Sequence, residues 1–144
     1  MGKKRIIQKA DLTTEEGRAA AIKTTSSKKK FAAGVVHVQA TYNNTIMAIT
    51  DLNGDVIVSS SAGSLGFSGA KKGTPFAAAK VGELLGDKAN IIGLKEVDVV
   101  IRGVGAGRES ALRGFAGKGI EISRIADETP VPHNGPRPPK PRRV

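Results

Sequence analysis

The chain has 144 residues and a net charge of +10, and it contains no cysteine and only 3% aromatic residues. Its length fits a single domain, the lack of cysteine excludes disulfides and thiolate metal sites, and the few aromatics argue against extensive base stacking. With no secretory segment and no apolar run of membrane-spanning length, we expect a soluble intracellular protein. Its positive charge favours binding to a polyanion, and nucleic acid is the first candidate.

The amino-terminal arm, residues 1–30, is polar and carries nine basic and three acidic residues. Few apolar residues and a high net charge are typical of a segment that is disordered when free. Residues 13–22 carry a helix-capping pattern, which favours a short helix within the arm. Lys28, Lys29 and Lys30 close the arm as a basic cluster.

Three short strands are predicted after the arm. Apolar residues recur at every second position of the first one, which is typical of a half-buried strand. Asn43 and Asn44 indicate the first turn, and the pair Asn53-Gly54 is a strong signal for the second. The predicted antiparallel strands are residues 34–40, 45–50 and 56–60.

Helices and strands alternate in the second half of the chain. Thr74 and Pro75 mark the start of a helix that runs to about residue 90, and a second helix spans residues 108 to about 116. Residues 97–101 and 120–125 predict two further strands. The order βββαβαβ indicates an α/β domain over residues 31–128 whose later strands run parallel.

Two loops of this domain are candidates for phosphate contacts. The loop 103–107 follows a strand and opens a helix, where backbone amides and the helix dipole attract anions. Glycines in this place also serve simply to turn the chain tightly, so both interpretations stay open. Lys71 and Lys72 form either a second phosphate contact or an ordinary solvated pair. The loop 103–107 is not followed by the lysine of a P-loop, and no acidic ribose partner lies at the expected place, so a mononucleotide site is not expected there.

The carboxyl tail, residues 129–144, has six prolines, four basic residues and no acid. So many prolines prevent helix and sheet formation and favour an extended, semi-rigid segment. The domain between arm and tail is neutral, with ten basic and ten acidic residues. A neutral domain with two cationic extensions is typical of a protein that binds a polyanion through those extensions.

No constellation typical of an enzyme or a metal site is found in the sequence. His37 and His133 lack a third ligand at metal spacing. Acids such as Asp98 occur singly on strands or in turns, and no serine lies in a nucleophile elbow. The sequence therefore predicts a protein without catalytic activity, metal or cofactor.

The tail also contains a chemically labile pair, Asn134-Gly135. Because glycine has no Cβ, its backbone nitrogen can reach the asparagine carbonyl carbon and close a succinimide, which opens mostly to isoaspartate. Isoaspartate formation at Asn134 is a hypothesis, and the alternative is a plain turn in which Asn and Gly serve the backbone conformation.

Four segments resemble the bacterial type of the universal small-subunit ribosomal protein eleven family. They are Phe31 to Thr45, with its Gly-Val-Val-His-Val and Tyr-Asn-Asn-Thr motifs, the helix start Gly73-Thr74-Pro75-Phe76-Ala77-Ala78, the loop Gly107-Arg108-Glu109-Ser110 and the tail motif Pro130-Val131-Pro132-His133-Asn134-Gly135. The resemblance runs from about residue 28 to the end. Val104 and Ala106 stand where prolines are common in the family, so the loop 103–107 is expected to be less rigid in this chain. Pro136 and Pro141 stand where a cysteine and a lysine are common, so the tail is expected to be stiffer.

This resemblance implies a ribonuclease-H-like, three-layer α/β/α fold with a mixed sheet of five strands and extended basic termini. It also implies residence on the cytoplasmic ribosome, on the platform of the small subunit, where the protein bridges several helices of 16S rRNA and helps to form the Shine-Dalgarno cleft. The implied neighbours are small-subunit proteins seven and eighteen, with the mRNA duplex and initiation factor three nearby. Ribonuclease H chemistry needs clustered acids where the first strand has His37 and Gln39, so we expect the fold without the activity.

We therefore predict a structural rRNA-binding protein of the translation machinery, whose extensions and loops neutralise phosphates. Two rivals are a free-standing RNA chaperone, which would bind many RNAs alike, and a magnesium-dependent nuclease that uses Asp98. The predicted RNA-binding residues are Lys28, Lys29, Lys30, Asn43, Asn44, Lys71, Lys72, Arg108, Arg113, His133, Asn134, Arg137, Lys140, Arg142 and Arg143.

Overall fold

Five strands and two α-helices follow one another along residues 31–143, the part of the chain that the computed structural model describes. They are β1 (Ala33–Ala40), β2 (Thr45–Thr50), β3 (Val56–Ser61), α1 (Pro75–Ile92), β4 (Glu96–Arg102), α2 (Gly107–Ala116) and β5 (Glu121–Asp127). A short 3-10 helix, Gly69–Gly73, precedes α1. The predicted order βββαβαβ is thereby confirmed, and each predicted element overlaps its observed counterpart.

The strands form one mixed sheet in the order β3-β2-β1-β4-β5. The hairpin-connected strands β1, β2 and β3 pair in antiparallel fashion. Strand β4 lies parallel to β1 on the other side, and β5 lies parallel to β4. The α/β class and the mixed sheet of five strands are therefore confirmed.

Both helices lie on the same face of this sheet. The chain advances in one direction across the sheet from β3 to β4 and again from β4 to β5, and right-handed crossovers then place both helices on one side. The helices approach closely, since a Cβ at Gly82 would lie 2.3 Å from the Ala111 carbonyl oxygen and one at Gly114 would lie 2.5 Å from that of Ala79. Residues 31–143 thus form two layers, one sheet and one helical layer, where the resemblance implied three.

The hydrophobic core fills the space between the sheet and the helical layer. Alternate strand residues such as Val36 and Val38 are buried there, as the period-two pattern predicted. The largest fully buried side chain is that of Phe115 in α2, and the other large ones are aliphatic except for Met47 and Thr45. With few aromatics in the chain, close helix packing and aliphatic side chains supply the core.

Local signals account for the ends of α1. The Thr74 hydroxyl accepts a hydrogen bond from the Ala77 amide at 3.3 Å, and Pro75 occupies the first helical position. Gly93 ends the helix in the left-handed conformation, with φ +91°. Among the helices of residues 31–143, none is long and apolar enough to cross a lipid bilayer.

Strand β5 is less regular than the sequence indicated. Its register against β4 shifts between Val97 and Asp98, whose partners are Ile122 and Arg124. The extra residue, Ser123, is a bulge, which explains how Ile122 and Ile125 share a face although they are three residues apart. Ile125 stays 57% exposed because β5 forms the edge of the sheet.

Candidate nucleic-acid interface

One edge of the sheet gathers most of the residues that the sequence singled out. Strands β1, β3, β4 and β5 run in the same direction, so their carboxyl ends meet at this edge, and both helices begin there. We call it the loop edge and define it by the β1–β2 turn (41–44), the segment 62–74, the glycine loop (103–107) and the tail root (127–129). In α/β sheets, ligands commonly bind at the carboxyl ends of the strands.

The β1–β2 turn is rigid and presents polar groups to solvent. The Thr41 amide and hydroxyl both donate to the Asn44 carbonyl, at 2.9 and 3.0 Å, and the Asn44 amide donates to the Thr41 hydroxyl at 3.1 Å. Asn43 is exposed, as expected of a contact residue, whereas Asn44 is half-buried. The Oδ1 atom of Asn44 is buried and has no hydrogen-bond partner among the described residues. Tyr42, which precedes the two asparagines, is 78% exposed.

The glycine loop packs against this turn. A Cβ at Gly103 would lie 2.1 Å from the Ala40 carbonyl oxygen, and one at Gly105 would lie 2.2 Å from that of Thr41. The Gly105 amide donates to the Ala40 carbonyl at 2.9 Å and is therefore already satisfied. These contacts support the interpretation that the glycines permit close packing. A phosphate contact by the loop stays a prediction. Within residues 31–143, the residue before α2, Ala106, gives no side-chain cap to the amides at the start of that helix.

Lys71 and Lys72 lie in the 3-10 helix just before α1 and next to the same turn. A Cβ at Gly73 would lie 2.2 Å from the Tyr42 carbonyl oxygen, so the backbone after Lys72 touches the β1–β2 turn. The Thr74 hydroxyl and amide fix this segment by donating to the Lys71 carbonyl at 2.7 and 3.3 Å. Neither lysine forms an ion pair with an acid among residues 31–143. Both ammonium groups thus extend the loop edge with positive charge.

Arg108 is engaged inside the protein rather than directed into solvent. Its guanidinium donates to the Gly103 carbonyl, to the Thr129 hydroxyl at 3.1 Å and to the Asp127 carboxylate. Its side chain is 32% exposed. This arginine therefore joins the glycine loop to the tail root, and a direct RNA contact by it stays a prediction.

Asp127 completes the tail root. Its carboxylate accepts from the Thr129 hydroxyl at 2.6 Å and from the Thr129 amide at 3.0 Å. The Thr129 hydroxyl hydrogen bond, followed by that of Arg108, lowers the pKa of Asp127 from 3.8 to about 2. Next to it, Arg102 and Glu128 form an ion pair at 2.7 Å. The tail therefore leaves the domain from a fixed point.

Beyond this root, residues 130–143 contain no helix or strand and most of their side chains are exposed. The backbone bends at His133 and Asn134, and Asn134 adopts φ +56°, the left-handed region. A Cβ at Gly135 would lie 3.1 Å from that of Pro132, so the chain folds back closely at this point. The predicted extended tail thus has a turn near its middle. Its basic residues, Arg137, Lys140, Arg142 and Arg143, follow that turn and form no ion pair with a described acid.

The structure does not bring all predicted contact residues to the loop edge. Arg113 lies in the last turn of α2, where it pairs with Glu109, and it lines an open groove of about 620 Å³ between the helices. Around that groove, Lys80 pairs with Glu83 at 2.8 Å. Lys28, Lys29 and Lys30, the rest of the arm and its predicted helix lie outside the described residues.

Three residues of the loop edge were missed by reasoning from the sequence: Tyr42, Asp127 and Thr129. An aromatic residue beside two asparagines was a usable signal for an exposed contact, whereas the partners of Arg108 are 19 and 21 residues away in sequence and carry no local signal. Within residues 31–143, no three His, Asp or Glu side chains are close enough together to hold a metal ion.

The comparison with known protein families identifies one match that covers this edge. The model of the family described as Ribosomal protein S11 matches residues 34–143. The match therefore includes the β1–β2 turn, the glycine loop, the tail root and nearly all of the tail, and it leaves out the amino-terminal arm.

Proposed function

Since the chain belongs to the ribosomal protein S11 family, and is therefore a small-subunit ribosomal protein that binds rRNA in the cytoplasmic ribosome, we propose that it binds 16S rRNA on the platform of the subunit. In this proposal the loop edge contacts folded RNA, and the carboxyl tail enters a crevice between RNA helices. The protein joins several helices of the RNA and helps to form the Shine-Dalgarno cleft.

The convergence of features at the loop edge carries this proposal. A rigid polar turn, two lysines without a described acidic partner, the start of two helices and the root of a cationic tail lie at one end of an otherwise neutral domain. Lysine and arginine contacts to phosphates position a protein on RNA without reading its sequence. Recognition of folded RNA relies mainly on shape, and a rigid edge provides a fixed shape.

Arg108 acts on RNA binding through the tail in this proposal. The guanidinium holds Asp127 and Thr129, and so sets the direction in which residues 130–143 leave the domain. A fixed starting direction lowers the entropy that the tail loses when it enters an RNA crevice. Replacing Arg108 should therefore weaken binding more than the loss of one partly exposed charge would.

The neighbours expected from the resemblance stay part of the proposal. They are small-subunit proteins seven and eighteen, with the mRNA duplex and initiation factor three nearby. The groove between the helices is the surface that best suits a protein neighbour, because the charges of Lys80, Arg113 and Lys118 are each paired with an acid of the same domain. A surface whose charges are internally paired attracts RNA less than the loop edge does.

Ribosomal proteins of this family are structural, and we propose that this chain has no enzymatic activity. Asp98 in β4 is the residue that a ribonuclease H type of reaction would use, so it provides the test. Magnesium-dependent RNA hydrolysis by the pure protein that is lost in Asp98→Asn would overturn this part of the proposal.

A competition experiment tests the main proposal against the RNA chaperone alternative. The full chain is bound to a labelled 16S rRNA fragment that contains the platform, and unlabelled bulk RNA is added in increasing excess. A ribosomal component should keep its fragment through a large excess of competitor, because shape recognition adds to the charge term. A chaperone would lose the fragment in proportion to the competitor, and that result would contradict the proposal.

A further inference from the structure

The phenol ring of Tyr42 is the one large apolar group of the β1–β2 turn, and it is 78% exposed. We propose that this ring is a stacking platform for an unpaired base of the rRNA, a role that rests on the RNA-binding function proposed above. The chain has a single tyrosine. Its exposed position at the loop edge makes it available for base stacking, although the low aromatic content of the chain argued against extensive stacking.

The other exposed aromatic ring of the described domain, that of Phe76, is already engaged, whereas the ring of Tyr42 is not. Phe76 is 64% exposed, but it packs edge-to-face on Phe67 at 6.1 Å between ring centroids, and the Lys80 ammonium lies 5.7 Å from its ring centroid. Tyr42 takes part in neither the aromatic pair nor the cation–π contact found among residues 31–143. Its ring is free to receive a flat partner.

The backbone beneath this ring is held on both sides. Thr41 and Asn44 close the turn with three mutual hydrogen bonds of 2.9 to 3.1 Å. The backbone of Gly73 presses against the Tyr42 carbonyl, and that of Gly105 presses against the preceding carbonyl. A ring on a fixed backbone loses little conformational freedom on binding, so most of the stacking energy is retained as affinity.

The charges near the ring favour nucleic acid over protein as its partner. Lys71 and Lys72 belong to the segment that contacts the Tyr42 carbonyl through Gly73. Lysines that hold the phosphates of an RNA strand leave its bases beside the neighbouring ring, which is how sites for single-stranded nucleic acid combine charge with stacking. Unpaired bases in loops and bulges are the RNA groups that aromatic side chains receive.

Affinity for 16S rRNA in three variants separates stacking from other contacts. Tyr42→Ala should weaken binding about 5- to 150-fold, the usual effect of removing one stacked ring. Tyr42→Phe keeps the ring and should bind nearly as the wild type does, whereas Tyr42→Leu keeps apolar bulk without a π-face and should behave like the alanine variant. The slope of log affinity against log salt should stay unchanged, because the ring carries no charge. Leu52→Ala, at an equally exposed site 74% open on the opposite edge, is the control and should have no effect.

Fluorotyrosine labelling gives a direct readout, because one tyrosine produces one fluorine resonance. Stacking on a base should move this resonance upfield when 16S rRNA is added. If the wild type binds but the resonance does not move and Tyr42→Ala binds equally well, stacking is wrong while the proposed function stands. Full affinity in Tyr42→Leu would likewise overturn stacking, since it would show an apolar contact instead. If the wild type shows no preference for 16S rRNA over bulk RNA, the proposed function itself fails.

Discussion

Replacing the four basic residues of the carboxyl tail by alanine separates their charge from the shape of the tail. The variant carries Arg137→Ala, Lys140→Ala, Arg142→Ala and Arg143→Ala, and it keeps every proline and the tail root. All four side chains are exposed and form no ion pair with an acid of residues 31–143. Each is therefore available to neutralise one phosphate.

The size of the effect follows from counterion release. Each phosphate contact adds about 0.7 to 0.9 to the slope of log affinity against log salt, so the loss of four contacts should make the slope shallower by roughly three. Between 50 and 200 mM salt, a difference of three in slope corresponds to about a 60-fold difference in how much affinity is lost. The wild type should thus be far more sensitive to salt than the variant.

Filter binding or fluorescence anisotropy with the platform fragment of 16S rRNA measures this slope at four or five salt concentrations. A control replaces two ion-paired cations of the helical layer, Lys80 and Lys118, by alanine. Because these residues are paired within the domain, the control slope should change by less than about one. An unchanged slope in the tail variant would refute the reasoning, since the tail would then make no phosphate contacts.

Three further predictions concern the domain and the tail. Gly82→Ala should lower the free energy of unfolding by about 1–3 kcal/mol in urea titrations, because its Cβ would meet the backbone of the facing helix. Gly117→Ala is the control and should lower it little, because its Cβ would have its nearest neighbour at 3.4 Å. Equal losses in the two variants would contradict the packing argument. Asp127 should titrate near pH 2 in NMR, and Thr129→Val should move its pKa back toward 3.8. Because the folded pKa is depressed, the stabilisation from this carboxylate is present above pH 3.8 and is lost as the pH falls toward 2. Aged protein should contain isoaspartate at Asn134 in peptide maps, and a map with only unmodified asparagine would count against that hypothesis.

Local signals were sufficient for most of the fold. The cap at Thr74, the proline after it and the stop at Gly93 predicted both ends of α1, because these residues act within one helical turn. The alternation in β1 gave its buried face for the same reason. The family resemblance in the sequence is confirmed by the match over residues 34–143.

Contacts between distant segments could not be predicted in the same way. The tail root depends on a guanidinium in α2 and a carboxylate at the end of β5, which only the parallel pairing of β4 with β5 brings together. The bulge at Ser123 has no sequence signal beyond irregular spacing of isoleucines. The layer count implied by the resemblance differed because both crossovers advance in the same direction, a property of the strand order rather than of any residue.

The shape of the loop edge depends on complete folding of the domain, because three backbone segments pack closely against the β1–β2 turn. Gly73, Gly103 and Gly105 come from segments that reach the turn only after the helices and β4 have docked. Under the proposed function, a chain that has not finished folding already carries every positive charge of its tail and would adhere to any RNA, but it lacks the rigid surface that would recognise one. In that proposal, completion of the fold converts indiscriminate adhesion into selective assembly.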